Sequence, residues 1–305
     1  MHAPALRPRS AIEIVDASFA ILRKSFVQMA IIGLAAAVPL IVVVVAGGAA
    51  VAGMSAANFA AAPMTMIPLL FVAIVLALVW VSVVDGAVTI AAGDAYFGRE
   101  VSPANALRAA FSRAMPLLGA YLLRALIVGA VGIVAAIAVT ALYKMVGTVI
   151  AVIAGIAAFV VVIHVALRTF ATTSVVVFED AGASDSVNRS FALSKGSAAR
   201  IFGVLFLCWI IVNVLQYAFN FTVAALFSAL LDSPVVAMVL MVVVAVLLYP
   251  FINIAIMVLY YDQRVRKEGY DLQMMSDGLT TPAPAAPRPP SPPPGGTPPT
   301  SYRIR

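Results

Sequence analysis

Six long hydrophobic stretches alternate with short polar segments along this chain. Each stretch has about 20 residues or more, which is enough to cross a bilayer core of about 30 Å at about 1.5 Å per residue. The pattern therefore predicts an all-α, polytopic membrane bundle of six transmembrane helices. The approximate limits are Val27–Val51, Ile67–Ala92, Leu117–Ala141, Val146–Leu167, Ile201–Leu230 and Val235–Leu259.

A short amphipathic segment precedes each pair of hydrophobic stretches. The first begins at Ser10, and Glu13 follows with the spacing of a capping box, in which each residue satisfies a backbone N–H near the other. Its apolar residues recur at steps of three and four, which predicts a helix with one apolar stripe. The stripe consists of Ile12, Val15, Phe19, Leu22 and Phe26.

The second amphipathic segment begins at Ser102-Pro103, a favourable N-cap followed by proline at the first helical position. It carries Leu107 and Phe111 on one side, whereas Arg108 and Arg113 lie elsewhere. The helix is therefore predicted to be amphipathic.

The third amphipathic segment runs from about Ser184 to Lys195, and Gly196 is predicted to end the helix. Val187, Phe191 and Ser194 lie in register along it. All three segments are too polar to span a membrane. We expect them to lie in the cytoplasmic interface or, as the alternative, to pack beneath the bundle as a collar.

The chain divides into three similar units, about 10–98, 102–181 and 184–268. The triplet Ser-Phe-Ala occurs at Ser18 and again at Ser190, and Ser10 and Phe19 are as far apart as Ser102 and Phe111. Internal repeats are common in membrane proteins. Convergence of polar connectors explains the similarity equally well, so both interpretations stay open.

Charge gives the predicted bundle an orientation. With a cytoplasmic N-terminus, the lysines and arginines fall on the inner side, except Lys144 in an outer loop and Arg124 within the third stretch. The positive-inside rule therefore places both termini in the cytoplasm.

Hydrophobic residues make up 63% of the chain and charged residues 10%, which excludes an ordinary soluble domain. The net charge of +6 then indicates contact with anionic lipid headgroups rather than with nucleic acid.

The two ends of the chain differ from the membrane domain at residues 10–272. Residues 1–9 are predicted to be a flexible N-terminus. Residues 273–305 are predicted to be a disordered cytoplasmic tail, because this segment is rich in proline from Thr280 onward. The single cysteine, Cys208, lies within a hydrophobic stretch and has no partner for an internal disulfide.

The segment Leu259–Leu272, with the sequence LYYDQRVRKEGYDL, together with Arg189–Gly196, RSFALSKG, closely resembles one family. This is a bacterial inner-membrane family grouped with the membrane domain of glycerophosphoryl diester phosphodiesterase. The opening Glu13–Phe19, with Arg23, also fits. The resemblance implies a six-span helical protein of the bacterial cytoplasmic membrane, for which no general activity is established.

The catalytic half of such phosphodiesterases is absent from this sequence. Those enzymes resemble barrels that use a His-Arg motif, acidic metal ligands and a second histidine. In this chain one of the two histidines, His2, lies in the N-terminal tail and the other, His164, lies in a hydrophobic stretch. No zinc-ligand spacing, glycine-rich phosphate loop or serine-nucleophile elbow occurs either. We therefore expect no enzymatic activity, no metal site and no cofactor.

Polar residues within the hydrophobic stretches are the candidate functional groups at membrane depth, because they are costly there. Asp85 and Arg124 lie at similar depths in consecutive antiparallel stretches, which favours an ion pair inside the bundle. The alternative is that each reaches the interface separately. His164 and Arg168, four residues apart, favour an interfacial hydrogen-bonding group over a proton relay.

Amides form a second intramembrane pattern. Asn213, Gln216 and Asn220 share one helical stripe in the fifth stretch, and Asn253 in the sixth is a candidate partner. Such amides usually bond neighbouring helices, and a substrate path is the alternative.

A cytoplasmic interface is the third candidate site. Its tyrosines are expected at headgroup level, and its mixed charges are expected to form salt bridges to the connectors. The residues are Phe19, Arg23, Phe111, Arg113, Phe191, Lys195, Tyr260, Tyr261, Asp262, Arg264, Arg266, Lys267 and Glu268.

Three functions compete at this point. The first is a non-enzymatic membrane protein that organises lipids or partner proteins at the cytoplasmic face, with anionic lipid, a membrane protein or a second copy as partner. The second is a small-molecule or lipid transporter that uses the intramembrane polar residues. The third, a membrane-embedded lipid enzyme, has the weakest basis because no catalytic constellation is visible.

Overall fold

The computed structural model describes residues 7–35, 37–38, 63–230 and 234–273, and for residues 63–70, 223–230 and 234–242 it describes the backbone alone. All regular secondary structure in these residues is α-helical. The helices are α1 Ala11–Lys24, α2 Phe26–Ala35, α3 Pro63–Tyr96, α4 Pro103–Ser112, α5 Ala114–Val146, α6 Thr148–Arg168, α7 Thr172–Phe178, α8 Ala183–Ser194, α9 Ala198–Leu230 and α10 Pro234–Glu268.

The described helices include five that are long and apolar enough to cross a membrane. A sixth is added if α1 and α2, which meet at an angle of 86°, are counted as one bent span. This is the helix content of a multi-pass membrane protein. The predicted stretch Val27–Val51 lies mostly outside the described residues, and so does the predicted tail. The spans are Phe71–Tyr96, Ala114–Val146, Thr148–Phe178, Ala198–Thr222 and Val243–Glu268.

Helix α1 starts with the predicted capping box. The hydroxyl of Ser10 accepts a hydrogen bond from Glu13 N at 3.2 Å, and Ser10 N donates to Glu13 Oε2 at 2.7 Å. These two bonds satisfy backbone donors that a helix N-terminus otherwise leaves free. The capping box read from the sequence is therefore confirmed.

The apolar stripe predicted for α1 is only half right. Val15 and Leu22 are buried, but Ile12 is 66% exposed and Phe19 is 38% exposed. The buried face is displaced toward the other side of the helix because α1 packs in the angle between α9 and α10. It also includes Ile14, Ser18 and Ile21.

The other two short helices also bury small residues. Helix α4 has the predicted N-cap Ser102, but it buries Ala106 and Ala110, while Phe111 is 64% exposed. In α8 the predicted register is correct for Val187 and Ser194, which are both buried. Helices α4 and α8 therefore approach their neighbours closely, since small side chains permit short distances between backbones.

A helix that the pattern did not predict, α7, follows α6 after a three-residue turn. Its central residues Ser174, Val175 and Val176 are buried. The sequence at 172–178 is too short to show a helical period, so tertiary packing determines this element.

The three proposed units pack in a cyclic order. Helix α4 packs on α3 of the preceding unit, α8 packs on α7 of its preceding unit, and α1 packs on α10 of the last unit. The last contact joins the two ends of the chain. The division into units at 10–98, 102–181 and 184–268 stays a prediction.

Three matching positions in the proposed units are equally buried. Ser18, Ala110 and Ser190 each have 0% exposure, and a phenylalanine follows each of them in the sequence. Short helices and helix ends thus collect on one side of the bundle. We call this the connector end: it comprises α1, α4, α7, α8 and the last turns of α3, α6 and α10.

Candidate functional site

An aromatic cluster lies at the centre of the connector end. The Tyr261 ring stacks on Tyr96 at a centroid distance of 5.7 Å and contacts Phe178 at 5.3 Å. Phe97 and Tyr270 complete its surroundings at 5.2 and 5.9 Å. The three central rings come from α10, α3 and α7, so the final helix of each unit contributes one aromatic residue. Tyr261 was expected at this site from the sequence, whereas Tyr96 and Phe178, at the ends of the other two units, were not.

The predicted position of the closing tyrosines at headgroup level is wrong. Tyr260 has 0% exposure and Tyr261 has 4%. Helix α10 continues without interruption through both residues, which directs them between helices. The Tyr260 hydroxyl donates a hydrogen bond to Glu179 Oε1 at 2.7 Å, so its polar group is satisfied inside the protein.

A buried carboxylate, Asp262, joins the beginning of the described chain to its end. Its side chain is 1% exposed and accepts from Arg200 Nη2 at 2.9 Å and Arg266 Nε at 3.0 Å. It also accepts from the backbone N–H of Arg9 at 2.7 Å. Three donors compensate the desolvation of this charge, which a buried carboxylate requires.

A second charged network lies beside the aromatic cluster. Arg189 bridges Glu179 at 2.8 Å and Glu268 at 2.6 Å, and Arg264 contacts Glu268 at 3.2 Å. Desolvation opposes the charge of Arg189, but hydrogen bonds with Glu268 and Glu179 outweigh it and raise the pKa of the guanidinium above its ordinary value. The predicted salt bridge between the closing segment and a connector is confirmed here.

Basic side chains also close helix C-termini at the connector end. Arg113 donates from Nη1 to the carbonyl oxygens of Val176 and Val177 at 3.1 and 2.6 Å, and it pairs with Asp180. Cations near the last carbonyls of a helix interact favourably with its dipole. Arg113 therefore attaches the second unit's first helix to its last, α7.

The intramembrane carboxylate has different partners from those predicted. Asp85 accepts from the Tyr249 hydroxyl and from Asn253 Nδ2, the latter at 3.1 Å. Arg124 is near enough to attract Asp85 electrostatically, but no ion pair within 4.0 Å joins them in the described structure. Neutral donors from α10 approach Asp85 more closely than the arginine of α5 does. The sequence did not identify Tyr249.

Among the residues whose side chains the structure describes, the amide stripe Asn213, Gln216 and Asn220 has no hydrogen bond to a neighbouring helix. Asn213 Nδ2 donates to the Trp209 carbonyl of its own helix at 2.8 Å, and Asn253 is bonded to Asp85 instead. Gln216 lies half-buried on the same helix. Asn220 Oδ1 is buried without a donor in the described part of the chain. The three amides share a face, but no common hydrogen-bond partner joins them.

The rim of the connector end combines exposed apolar and basic side chains. Ile12 on α1 is 66% exposed and Phe111 on α4 is 64% exposed. Arg23, Lys24 and Arg108 on the same short helices are also exposed. A surface that presents both kinds of side chain is suited to the boundary between acyl chains and headgroups.

The described residues offer no metal site, and the comparisons with known proteins give no match. Within the described ranges, no three or more His, Cys, Asp or Glu side chains are grouped so that they would hold a metal ion. No family model matches the chain, and it has no match among the curated proteins or the solved structures. The family resemblance of the closing segment therefore rests on the sequence residues that suggested it.

Proposed function

We propose that this protein is a non-enzymatic integral protein of the bacterial cytoplasmic membrane that binds anionic lipid headgroups and organises lipids or partner proteins at its cytoplasmic face. One observation carries the proposal: short helices at the connector end expose apolar and basic side chains together. Phe111 with Arg108 on α4 is the clearest pair. On α1, Phe19 is 38% exposed and lies four residues before the exposed Arg23, although the Phe19 ring also contacts Phe251 at a centroid distance of 4.4 Å.

Apolar and basic side chains are stabilised at different depths of the membrane. Exposed phenylalanine side chains beside the spans gain free energy in the acyl region, at about 25 cal/mol per Å² of apolar surface removed from water. The flanking guanidinium and ammonium groups then lie at phosphate level, where each basic residue contributes about 1 kcal/mol with an anionic leaflet. Both contributions act only when the short helices lie in the interface.

The orientation is part of the proposal. With six spans and both termini cytoplasmic, reporter fusions after Ala60, Lys144 and Asp232 report an outside location. Fusions after Arg99, Lys195 and Lys267 report an inside location. A reversal at any of these sites contradicts the topology.

Lipid preference tests the function itself. Purified protein in vesicles of phosphatidylcholine with spin-labelled lipids should associate with phosphatidylglycerol more strongly than with phosphatidylcholine. Arg23→Gln with Lys24→Gln and Arg108→Gln should weaken that preference and its salt sensitivity. Lys144→Gln, in a predicted outer loop, is the matched control. Equal association of both lipids with the wild type would refute the proposal.

A transporter is the second candidate, and one observation favours it. Asp85 lies within a candidate span and is held by Tyr249 and Asn253, with Arg124 nearby. Such intramembrane charges often mark ion or substrate paths. Proton flux into proteoliposomes, measured with a trapped pH-sensitive dye, should then exceed that of Asp85→Asn. Identical flux in both, at the level of empty vesicles, rejects a proton pathway through Asp85.

A further inference from the structure

Three cations from three different elements converge at one side of the connector end. Arg168 ends α6, Lys195 follows α8, and Lys267 lies in the last turn of α10. Both Arg168 and Lys195 are close enough to Lys267 to repel its charge. We call these three residues the cation triad.

The cation triad has no carboxylate partner in the described residues. This distinguishes it from its neighbours, since Arg264 pairs with Glu268 and Arg266 pairs with Asp262. Glu268 attracts Lys267 electrostatically, but it is already shared between Arg189 and Arg264. Excess positive charge therefore remains at the triad.

Part of the hydrogen-bonding capacity of the triad is used by the end of α8. Arg168 Nη2 donates to the Phe191 carbonyl at 3.2 Å, and Lys267 Nζ donates to the carbonyl oxygens of Ala192, at 3.3 Å, and Lys195. These neutral acceptors fix the side chains but leave the charges unneutralised. The ammonium groups of Lys195 and Lys267 belong to exposed residues, so an anion has access to them.

Unused polar atoms lie in the same region of the fold. Arg168 Nε is buried and has no acceptor among the described residues. One turn before Lys267, on the same helical face, Gln263 is 0% exposed and neither its amide nitrogen nor its amide oxygen has a partner there. Buried polar atoms without partners are uncommon and call for an explanation such as a missing ligand.

An exposed apolar strip leads away from the triad along α6. His164 is exposed one turn before Arg168, and Val160, Ile156 and Ile153 follow on that face with exposures of 60%, 63% and 60%. A molecule that fits both features has a phosphate group joined to a long apolar chain. A soluble phosphate would use only the cations.

We propose that the cation triad binds the phosphate of an anionic phospholipid whose acyl chain lies along the exposed strip of α6. The inference rests on the proposed function and deepens it by assigning one lipid to one site. The planar guanidinium of Arg168 donates hydrogen bonds in fixed directions, and the two lysines place positive charges on flexible side chains. Together they can bind the several oxygen atoms of a phosphate group.

Native mass spectrometry of the delipidated full-length protein tests the site. Wild type is titrated separately with phosphatidylglycerol, with phosphatidylcholine of the same acyl chains, and with inorganic phosphate. We expect one phosphatidylglycerol to bind at least tenfold more tightly than phosphatidylcholine. Lys195→Gln combined with Lys267→Gln should abolish this tight binding, and Lys195→Gln alone, at an exposed side chain, should weaken it. Lys144→Gln is the control and should bind like wild type.

The outcomes separate the site from the function. If wild type prefers phosphatidylglycerol and the double variant keeps that preference, the assigned site is wrong while the proposed function stands. If wild type shows no preference for phosphatidylglycerol, both the assigned site and the proposed function are wrong. If inorganic phosphate displaces phosphatidylglycerol at equal concentration, the acyl strip contributes nothing and the ligand is a free phosphate, which overturns the lipid assignment.

Discussion

The span of α10, which ends at the connector end, and the α5–α6 hairpin are similarly apolar but pack very differently. In the most apolar window of each span, half of the residues of α10 are buried, compared with none in α5 and 6% in α6. The mean hydropathy of these spans is similar, at 2.3, 2.6 and 2.9. Hydropathy therefore indicates that a helix belongs in the membrane, but it does not indicate which helices form the core.

The physical reason is that lipid tails are as apolar as leucine side chains. Helix association in a bilayer consequently depends on close backbone approach, shape and polar contacts rather than on removal of apolar surface. The connector end has such contacts in Asp262, Arg189 and the Tyr261 cluster. Gly129 and Gly132 of the hairpin, by contrast, have open space where a side chain would begin.

The largest effect is expected at Asp262. Asp262→Ala leaves Arg200 and Arg266 without their buried carboxylate, which costs on the order of 3–5 kcal/mol in enclosed sites. We expect the lower end, since both arginines are partly exposed. Unfolding free energy in detergent is the measurement. Asp94→Ala, which removes an exposed pair with Arg99, is the control and should cost about 0–1 kcal/mol. Equal losses would show that Asp262 does not stabilise the connector end in this way.

Removal of the central ring is the next test. Tyr261→Ala should destabilise the protein by about 3–5 kcal/mol, because a fully packed aromatic side chain is replaced by a cavity. Phe159 on the hairpin is 66% exposed, so Phe159→Ala should change the free energy of unfolding by less than about 0.5 kcal/mol. A large loss for Phe159→Ala would mean that the hairpin face is covered in the folded state.

Adding a methyl group is expected to have opposite effects on stability at two glycines, Gly33 and Gly132. A Cβ at Gly33 would lie 2.7 Å from the Val246 backbone oxygen, so Gly33→Ala should cost about 1–3 kcal/mol through overpacking. Gly132→Ala meets no atom within 4 Å and should be neutral or stabilising by up to about 1 kcal/mol through helix propensity. Thermal unfolding in detergent and in lipid vesicles distinguishes the two. Destabilisation by Gly132→Ala would indicate a close helix partner for the hairpin.

Double-mutant cycles compare the observed partner of Asp85, Tyr249, with the partner expected from the sequence, Arg124. We expect Asp85→Asn and Tyr249→Phe to couple by about 0.5–3 kcal/mol, because the two side chains share a hydrogen bond. Asp85→Asn with Arg124→Gln should couple less, since no contact joins those residues within 4.0 Å. Stronger coupling to Arg124 would restore the ion pair expected from the sequence.

The smallest effect concerns acid stability at α1. The hydrogen bond from Arg7 and that from Ser10 N lower the pKa of Glu13 to about 2 from an ordinary value of 4.5. A lowered folded-state pKa stabilises the fold above about pH 4.5, and this contribution is lost as the pH falls toward 2. Melting temperature between pH 5 and pH 3 should fall less for Glu13→Gln than for wild type. Asp16→Asn, on the same helix but outside the capping box, is the control. An equal fall in melting temperature between pH 5 and pH 3 for Glu13→Gln and wild type would contradict the prediction.

Local features were the most predictable from the sequence. The capping box at Ser10 and Glu13 and the N-cap at Ser102 follow from neighbouring residues alone, and the structure confirms both. The salt bridge between the closing segment and a connector was also expected, although its members Arg189 and Glu268 were not named as a pair. Such features depend on short spacing or on strong charge complementarity.

The candidate site was less predictable, because its geometry depends on how helices rotate against one another. Phe19 was assigned to the buried stripe of α1, but it lies at the edge of the buried face, where it contacts Phe251, and Ile14 and Ser18 are fully buried instead. Asp85 was paired by depth with Arg124, whereas rotation of α10 brings Tyr249 and Asn253 closer. Sequence spacing gives the face that residues share, but not which neighbour that face meets.

The sequence by itself determined that the chain is helical and has five or six helices able to cross a membrane, since length and apolar composition are sufficient for that inference. Tertiary structure alone decided the cyclic order of α1, α4 and α8, the aromatic cluster around Tyr261 and the burial of Asp262. These features join residues that are far apart in the sequence, such as Arg9 and Asp262, which are 253 positions apart and share a hydrogen bond. Apolar pattern carries no information about such contacts, because the membrane solvates every apolar face equally well and leaves close packing and polar pairing to select the partners.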